Sequence, residues 1–135
     1  MNKEVPTIDE RATVLEAAKM MVKSTRGFLV VLSEGQPKGI VTERDLVKKV
    51  LAEEKDPQNV RVLEVMSSPL VTVDPDEDLL KASKLMQDHR IRRLPVVKDG
   101  IIYGVLSSTD IARKVGEYVD RSVRDIMRWA SPIGI

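Results

Sequence analysis

The first half of the chain is repeated in the second half. Residues 5–50 align with residues 70–115 without a gap, and most aligned pairs are identical or keep their apolar or polar character. An internal repeat restricts the fold to two copies of one supersecondary unit. Because a fragment of about 60 residues buries too little surface to be more than marginally stable alone, we expect the two copies to pack together.

Each copy predicts the same order of elements: strand, helix, strand, strand, helix. Short apolar runs predict strands at residues 5–8, 28–32, 38–41, 70–73, 94–97 and 101–106. The turn of the first hairpin is predicted to contain Gly35 and Pro37, and that of the second hairpin Asp99 and Gly100. The acidic residues after the first strand of each copy predict helix starts, and these are Asp9, Glu10, Asp76, Glu77 and Asp78.

Apolar side chains at helical spacing predict the buried face of each helix. In the first helices these are Val14, Ala18 and Met21, which are matched in the second repeat by Leu79, the polar Ser83 and Met86. In the second helices they are Leu46, Val47, Val50, Leu51, Ile111, Val115 and Val119. The predicted fold class is α/β, with two tandem β-α-β-β-α repeats. Residues 1–66 form the first repeat with its linker, and residues 67–135 form the second repeat with a C-terminal tail.

The composition argues against several classes of function. With 22 basic and 21 acidic residues the formal net charge is +1, so no overall field attracts nucleic acid or an anionic membrane. There is no cysteine and the single histidine has no evident metal-binding or catalytic companion, so we expect no metal site and no enzyme activity. No apolar run is long enough for a membrane helix or a signal peptide, so we expect a cytoplasmic location.

The repeated octapeptide, GIVTERDL and then GVLSSTDI, leaves two interpretations open. A hydroxyl residue followed three places later by an aspartate, as in Thr42 with Asp45 and Ser107 with Asp110, is typical of a helix capping box, worth about 1 kcal/mol. The same helix start also offers N–H groups and a hydroxyl to a phosphate. The two carboxylate oxygens then suit the neighbouring hydroxyls of a ribose. The second interpretation predicts a nucleotide site in each copy.

The tandem repeat, the segment RRLPVV and the paired GIVTERD and GVLSSTD resemble a tandem pair of CBS domains, also called a Bateman module, over about residues 5–127. The resemblance implies that the two repeats pack with pseudo-two-fold symmetry and enclose two ligand clefts. It also implies that each motif contacts the phosphate and ribose of an adenine nucleotide. The residues concerned are Thr42, Arg44 and Asp45 in the Asp45 cleft, and Ser107, Thr109 and Asp110 in the Asp110 cleft.

The resemblance assigns the rest of each cleft as well, with the adenine held by the opposite repeat. The expected residues of the Asp45 cleft are Ile40, Met66, Val71 and Arg92. Those of the Asp110 cleft are Val5, Pro6, Gly27, Phe28, Arg93 and Val105. Because some adenylate-binding relatives carry a phosphate-contacting arginine at the position of Arg93, we expect the Asp110 cleft to be the tighter phosphate site. Glu43 adds negative charge to the Asp45 cleft.

We therefore expect a regulatory module that binds an adenine nucleotide and requires no cofactor. AMP is the first expected ligand, ADP and ATP come next, and S-adenosylmethionine is less favoured. One alternative is a nucleic-acid binder that uses the basic cluster HRIRR at residues 89–93, against which the near-zero net charge and the few aromatic residues count. Another is a structural module with empty clefts. The resemblance also implies a homodimer, acting on a regulated protein that the sequence does not identify.

Overall fold

Both repeats contain a β-hairpin flanked by two helices, and the elements follow one another in the same order. The structure, a computed structural model, describes residues 5–116 and the side chains of residues 5–113. The side chain predicted to be buried at Val115, the position of Val119 and the C-terminal tail lie outside this range.

The first repeat is built on a three-stranded sheet with the order β1-β2-β3. Its strands are β1 at Thr7–Asp9, β2 at Phe28–Ser33 and β3 at Gln36–Thr42. β1 is parallel to β2, and β2 is antiparallel to β3. The parallel pair needs a crossover, which is provided by helix α1 at Val14–Ser24. These strands confirm the prediction, except that Pro37 lies in β3 and not in the turn.

The second repeat contains the matching antiparallel hairpin of β4 at Arg93–Lys98 and β5 at Ile101–Ser107. The prediction of a full strand at residues 70–73 is wrong. In the part of the chain that the structure describes, this segment forms a single parallel bridge, between Val73 and Val96. The chain just before Val73 is bonded to the first repeat and therefore cannot extend this sheet.

Both hairpins close through the same kind of turn. Glu34 and Gly35 connect β2 to β3 with φ angles of 51° and 78°, and Asp99 and Gly100 connect β4 to β5 with φ angles of 53° and 77°. Two positive φ angles in a two-residue loop indicate a type I′ turn, whose twist matches that of the flanking strands. Each hairpin also has a register shift at the equivalent point of its first strand.

Helix α1 does not begin where the acidic residues predicted. Its cap is Thr13, whose hydroxyl accepts the N–H of Glu16 at 3.2 Å. The predicted start at Asp9 and Glu10 is wrong, because Asp9 ends β1 and its carboxylate accepts the N–H of Arg11 at 2.8 Å. A carboxylate that closes a local turn of this kind competes with helix formation.

The first helix of the second repeat follows the prediction more closely. Helix α3 at Leu79–His89 is capped by Asp78, whose carboxylate accepts the N–H of Lys81 at 2.8 Å. Its buried side chains are Ala82 and Met86. In α1 they are Val14, Ala17 and Met21. The predicted burial of Leu79 is wrong, because Leu79 is exposed, and Ala18 and Ser83 are only half-buried, because the preceding alanine of each repeat faces the core.

The second helix of the first repeat is irregular. Helix α2 at Glu43–Leu46 continues into one π-helical turn at Val47–Leu51, whereas α4 at Ser108–Gly116 is an α-helix. Val50 is buried, but Val47 and Leu51 are 54% and 73% exposed. Their predicted burial is wrong because a π turn is wider than an α turn, so the α-helical spacing does not apply there.

Each repeat has its own apolar core. The first core combines α1, β2 and β3 with three valines of the linker region, Val60, Val62 and Val65. The second core contains the following buried residues: Val73, Ala82, Met86, Leu94 and Val96. The linker thus contributes to the first core, and a short 3-10 turn at Val62–Glu64 holds it there.

The chain after the linker runs along the free edge of β3. The N–H of Ile40 donates to the carbonyl of Ser67 at 3.0 Å, and the N–H of Ser67 donates back at 2.9 Å. Leu70 donates its N–H to the carbonyl of Lys38 at 2.9 Å. A Cβ atom at Gly39 would lie 2.5 Å from the Ser67 carbonyl oxygen, so this close approach requires glycine.

Candidate functional site

The first motif closes the end of β3 with a reciprocal pair of hydrogen bonds. The N–H of Asp45 donates to the hydroxyl of Thr42 at 3.3 Å. Oδ2 of Asp45 accepts the backbone N–H of Thr42 at 2.9 Å and its hydroxyl at 3.1 Å. Oδ1 lies 3.2 Å from the ammonium group of Lys49, and the carboxylate side chain is 14% exposed. The octapeptide therefore forms the capping box, with its carboxylate partly open to solvent.

The second motif has the same arrangement. The N–H of Ser107 donates to Oδ2 of Asp110 at 2.9 Å, and the N–H of Asp110 donates to the hydroxyl of Ser107 at 3.0 Å. Burial raises the pKa of Asp110, but the hydrogen bonds from Ser107 and the nearby guanidinium of Arg113 together leave that pKa below its usual value. Asp110 is therefore held as a carboxylate at neutral pH.

A cleft of about 540 Å³ lies beside the first motif and is lined by both repeats. The first repeat contributes Thr42, Arg44 and Asp45, and the second repeat contributes Val71 and Arg92. Its volume falls within the range of small-molecule sites. We call it the Asp45 cleft.

A smaller cleft of about 290 Å³ lies beside the second motif. Ser107 and Asp110 face Gly27 and Phe28 of the first repeat across it. We call it the Asp110 cleft. Arg93 lines both clefts. Each motif thus faces residues of the opposite repeat.

A hollow of about 700 Å³ lies between the two hairpins and the segment at residues 67–72, which joins the repeats and which we call the joining segment. Its lining includes Ser33, Lys38, Pro69 and Thr72 but neither of the two motifs and no arginine. It has no constellation that would recognise a phosphate or a ribose, so the two smaller clefts are the candidate sites.

Two segments of the chain, residues 1–52 and 62–117, match the family model for the CBS domain. The chain is a tandem pair of CBS domains. The predicted resemblance and fold class are both confirmed.

Related proteins support the same assignment. The CBS domain-containing protein YhcV of Bacillus subtilis is 38% identical over 112 residues, which are 83% of this chain and 79% of that protein. A solved structure of a CBS-domain protein from Burkholderia ambifaria has a TM-score of 0.79 and 30% identity, with 90% of each chain covered. A hexameric CBS-CP12 protein from bloom-forming cyanobacteria has a TM-score of 0.79 and 36% identity over 95% of this chain and 74% of its own. The chain spans 65% of an uncharacterized Methanopyrus kandleri relative.

Within the CBS pair, most of the residues expected at the clefts are brought together. The Asp45 cleft contains Ile40, Thr42, Arg44, Asp45, Val71 and Arg92. The Asp110 cleft contains Gly27, Phe28, Arg93, Val105, Ser107 and Asp110. The assignment of Arg93 to the Asp110 cleft is incomplete, because Arg93 also lines the other cleft.

Four expected residues lie outside the linings of these clefts. Met66 packs against the first core, and its sulfur lies beside Gly39. The carbonyl of Pro6 accepts the N–H of Val30 at 3.0 Å, so this end of the chain supports the sheet. The others are Val5, which is half-buried, and Thr109, which is exposed on α4.

Some cleft residues were not assigned from the sequence. In the Asp45 cleft these include Ser67, Pro69 and Leu70 of the joining segment. No motif marks them, and the one sequence signal is Gly39, whose missing side chain allows the segment to approach. In the Asp110 cleft they include Thr25 and Arg26. The repeat alignment could have found this pair, because it equates them with Arg90 and Ile91, which precede the assigned Arg92 and Arg93.

The basic cluster of the second CBS domain lies at the Asp45 cleft. Arg90, Arg92 and Arg93 all line it, together with Arg44 from the first domain. Arg90 is the C-cap of α3 in the left-handed conformation, with φ of 55°, and the residues that follow it also line the cleft. Four arginines therefore surround one cleft in the part of the chain that the structure describes.

The described residues offer no alternative metal or membrane feature. Among them, no group of three histidine, cysteine or acidic side chains is placed to hold a metal ion. No described helix has the length and apolar character that a membrane crossing would need.

Proposed function

We propose that this CBS pair is a regulatory module that binds adenine nucleotides in the clefts between its two domains. The observation that carries the proposal is the Asp45 cleft, where the hydroxyl and carboxylate of one domain face an arginine-rich wall of the other. Ribose hydroxyls need acceptors and phosphates need cationic donors. A single cleft supplies both.

The carboxylate of Asp45 has acceptor positions left for the hydroxyl groups of a ribose. A carboxylate offers about four acceptor positions. Two positions on Oδ2 of Asp45 take the N–H and hydroxyl of Thr42, and one on Oδ1 faces Lys49. Rotation of the Thr42 hydroxyl towards a phosphate would release a second position, so two ribose hydroxyls could then be accepted while the cap is kept.

The arginines set the expected ligand class. Arg44, Arg90, Arg92 and Arg93 line the Asp45 cleft, and guanidinium groups bind phosphate with paired hydrogen bonds. AMP is the first ligand to test, followed by ADP and ATP, with S-adenosylmethionine less favoured because it carries no phosphate. The module needs no cofactor and acts without chemistry of its own.

Signalling follows from the position of the ligand between the domains. Consider two arrangements of the domains, of which only one allows the ligand to contact both domains. The ligand shifts the equilibrium towards that arrangement, and the free energy of the shift cannot exceed the difference between its binding free energies for the two arrangements. We propose that a partner protein in the cytoplasm detects this change.

Calorimetric titration of the full chain tests the proposal. We expect AMP to bind with a dissociation constant on the order of micromolar, equivalent to about 8 kcal/mol. Asp45→Asn and Asp110→Asn keep one side-chain oxygen for the cap but lose the second carboxylate oxygen. Each is expected to weaken its own cleft about 10-fold or more, since hydrogen bonds to charged groups contribute roughly 1.5–3 kcal/mol.

Asp78→Asn is the control, because Asp78 also accepts a backbone N–H at a helix start, as the N-cap residue of α3, and lines neither cleft. It should bind AMP as the wild type does. 2′-Deoxy-AMP should bind more weakly than AMP to the wild type. Unchanged affinity and stoichiometry in both cleft variants would refute the assignment of the ribose site.

The basic cluster at residues 89–93 is the reason to test nucleic-acid binding as an alternative function. Its arginines line a cleft beside Asp45, an arrangement that favours a single nucleotide over an extended backbone. Titration against salt separates the two functions, because phosphate-backbone binding weakens steeply as salt rises. A steep salt dependence without preference for ribose over deoxyribose would support the alternative.

We also propose that the chain forms a homodimer. Several apolar side chains on its helices are exposed, including Val22 at 79% and Leu80 at 80%. Exposed apolar surface of this kind favours self-association. Light scattering with size-exclusion chromatography should give the dimer mass for the wild type, and a monomer at all concentrations would contradict the proposal.

A further inference from the structure

One arginine forms part of both clefts. Arg93, the first residue of β4, lines the Asp45 cleft and the Asp110 cleft. Its guanidinium carbon lies 5.0 Å from the centroid of the Phe28 ring. In the repeat alignment Arg93 and Phe28 occupy equivalent positions, so this pair stands where the two domains meet. Among the described residues, the linings of the two clefts share Gly27 and Arg93, and Arg93 is the one shared residue that carries a charge.

The charge of Arg93 is available to a ligand. Within residues 5–113, no carboxylate forms an ion pair with it. Its contact with Phe28 is a cation–π interaction with the aromatic ring, which involves no oxygen acceptor that would compete with a phosphate for its N–H donors. A phosphate in either cleft would therefore find the same set of donors.

The other arginines are divided unequally between the clefts. Arg44, Arg90 and Arg92 line the Asp45 cleft only, and Arg26 lines the Asp110 cleft only. In the described chain, Arg93 is thus one of four arginines at the Asp45 cleft and one of two at the Asp110 cleft. Loss of its charge should affect the Asp110 cleft more.

We propose that the two clefts compete for Arg93, so that a phosphate-bearing ligand in one cleft lowers the affinity of the other. A planar guanidinium can direct its paired N–H donors at one phosphate at a time. The inference rests on the proposed nucleotide sites and adds negative coupling between them. Linkage requires the same coupling factor in both directions.

The experiment compares each cleft when its neighbour is occupied and when its neighbour is disabled. AMP is titrated calorimetrically into the wild type, Asp45→Asn and Asp110→Asn. In the wild type, the second AMP molecule enters one cleft while the other is occupied. We expect it to bind at least about 5-fold more weakly than AMP binds that same cleft in the variant whose other cleft is disabled. Adenosine, which carries no phosphate, should show no such difference.

Arg93→Met removes the charge and keeps an unbranched side chain over Phe28. In this background the clefts should bind AMP independently, and the Asp110 cleft should lose more affinity than the Asp45 cleft. Arg26→Met is the matched control, because Arg26 lines one cleft only. It should weaken the Asp110 cleft and leave the coupling factor unchanged.

The outcomes separate this inference from the proposed function. If no cleft binds AMP, the proposed function fails. If both clefts bind AMP with affinities that do not depend on each other, the nucleotide function stands and the competition for Arg93 is refuted. Coupling that persists in Arg93→Met also refutes it. If the wild type binds only one AMP, competition predicts that Asp45→Asn will bind AMP at the Asp110 cleft. Absence of binding to that variant would refute the competition.

Discussion

Gly39 shows how a single residue connects the fold to the candidate site. It opens the repeated octapeptide, and the joining segment pairs with the edge of β3 next to this point. A Cβ atom there would lie 2.5 Å from the backbone oxygen of Ser67 and 3.0 Å from the sulfur of Met66. Methionine can move aside, but the backbone of Ser67 is fixed by two hydrogen bonds to Ile40. The glycine is therefore required by packing between backbones.

We predict that Gly39→Ala lowers the free energy of unfolding by about 1–3 kcal/mol, the usual cost of forcing extra atoms into a packed contact. It should also weaken AMP binding, because Ser67 lines the Asp45 cleft. Urea denaturation measures the stability, and amide hydrogen exchange at Ser67 and Ile40 reports the joint directly.

Gly35→Ala provides the comparison for this prediction. Gly35 has a positive φ of 78° but open space around its Cβ position, so alanine there is strained without touching the joining segment. It should lose stability and keep both AMP affinity and the protection of Ser67. Equal exchange rates at Ser67 in wild type and Gly39→Ala would contradict the role given to Gly39.

At the level of elements, the hairpins could be predicted from the sequence, whereas the helix starts could be predicted only in part. The short apolar runs and the Asp99-Gly100 turn between them define the second hairpin locally. Acidic residues, in contrast, suit both turns and helix caps. Asp78 caps a helix and Asp9 closes a turn, and the choice depends on which neighbouring N–H group each carboxylate reaches.

The candidate site was predictable to the extent that it follows from the repeat. Thr42, Asp45, Ser107 and Asp110 are visible as two copies of one motif, and both copies share the reciprocal pair of hydrogen bonds from backbone N–H groups to side chains. The sharing of Arg93 was not predictable, because it depends on how the two domains face each other. Contacts between distant segments leave no local pattern in a single sequence.

The two hairpin turns provide a prediction at the same level. Glu34 and Asp99 occupy the same left-handed position of a type I′ turn, which favours asparagine, aspartate and glycine. Glutamate lacks the short polar side chain that stabilises this conformation, whose cost for most residues is roughly 1–2 kcal/mol. We predict that Glu34→Asn stabilises the chain by up to about 1 kcal/mol, part of that cost.

The internal repeat supplies the control for the turn. Asp99→Glu makes the reverse exchange in the equivalent turn and should destabilise by a similar amount. Thermal unfolding followed by circular dichroism measures both variants. A lower melting temperature for Glu34→Asn would show that the backbone conformation of the turn does not control this position.

The whole molecule consists of two cores held together by backbone and side-chain contacts. The joining segment bonds to β3 of the first domain and then leads into the bridge of Val73 with Val96 in the second. Arg93 and Phe28 meet across the clefts. Because the clefts exist only where the two domains meet, ligand binding and the integrity of both domains should be coupled.

Leu29 and Leu94 allow this coupling to be tested with a matched pair. They are equivalent in the repeat alignment, each is 0% exposed, and each lies in the core of its own domain. We predict that Leu29→Ala and Leu94→Ala each reduce stability by about 2–5 kcal/mol through lost burial and the cavity left behind. Each variant should still unfold in one transition, with circular dichroism and the calorimetric enthalpy in agreement. Independent domains would instead give two transitions, of which each substitution lowers only one, and saturating AMP would then raise the two midpoints separately.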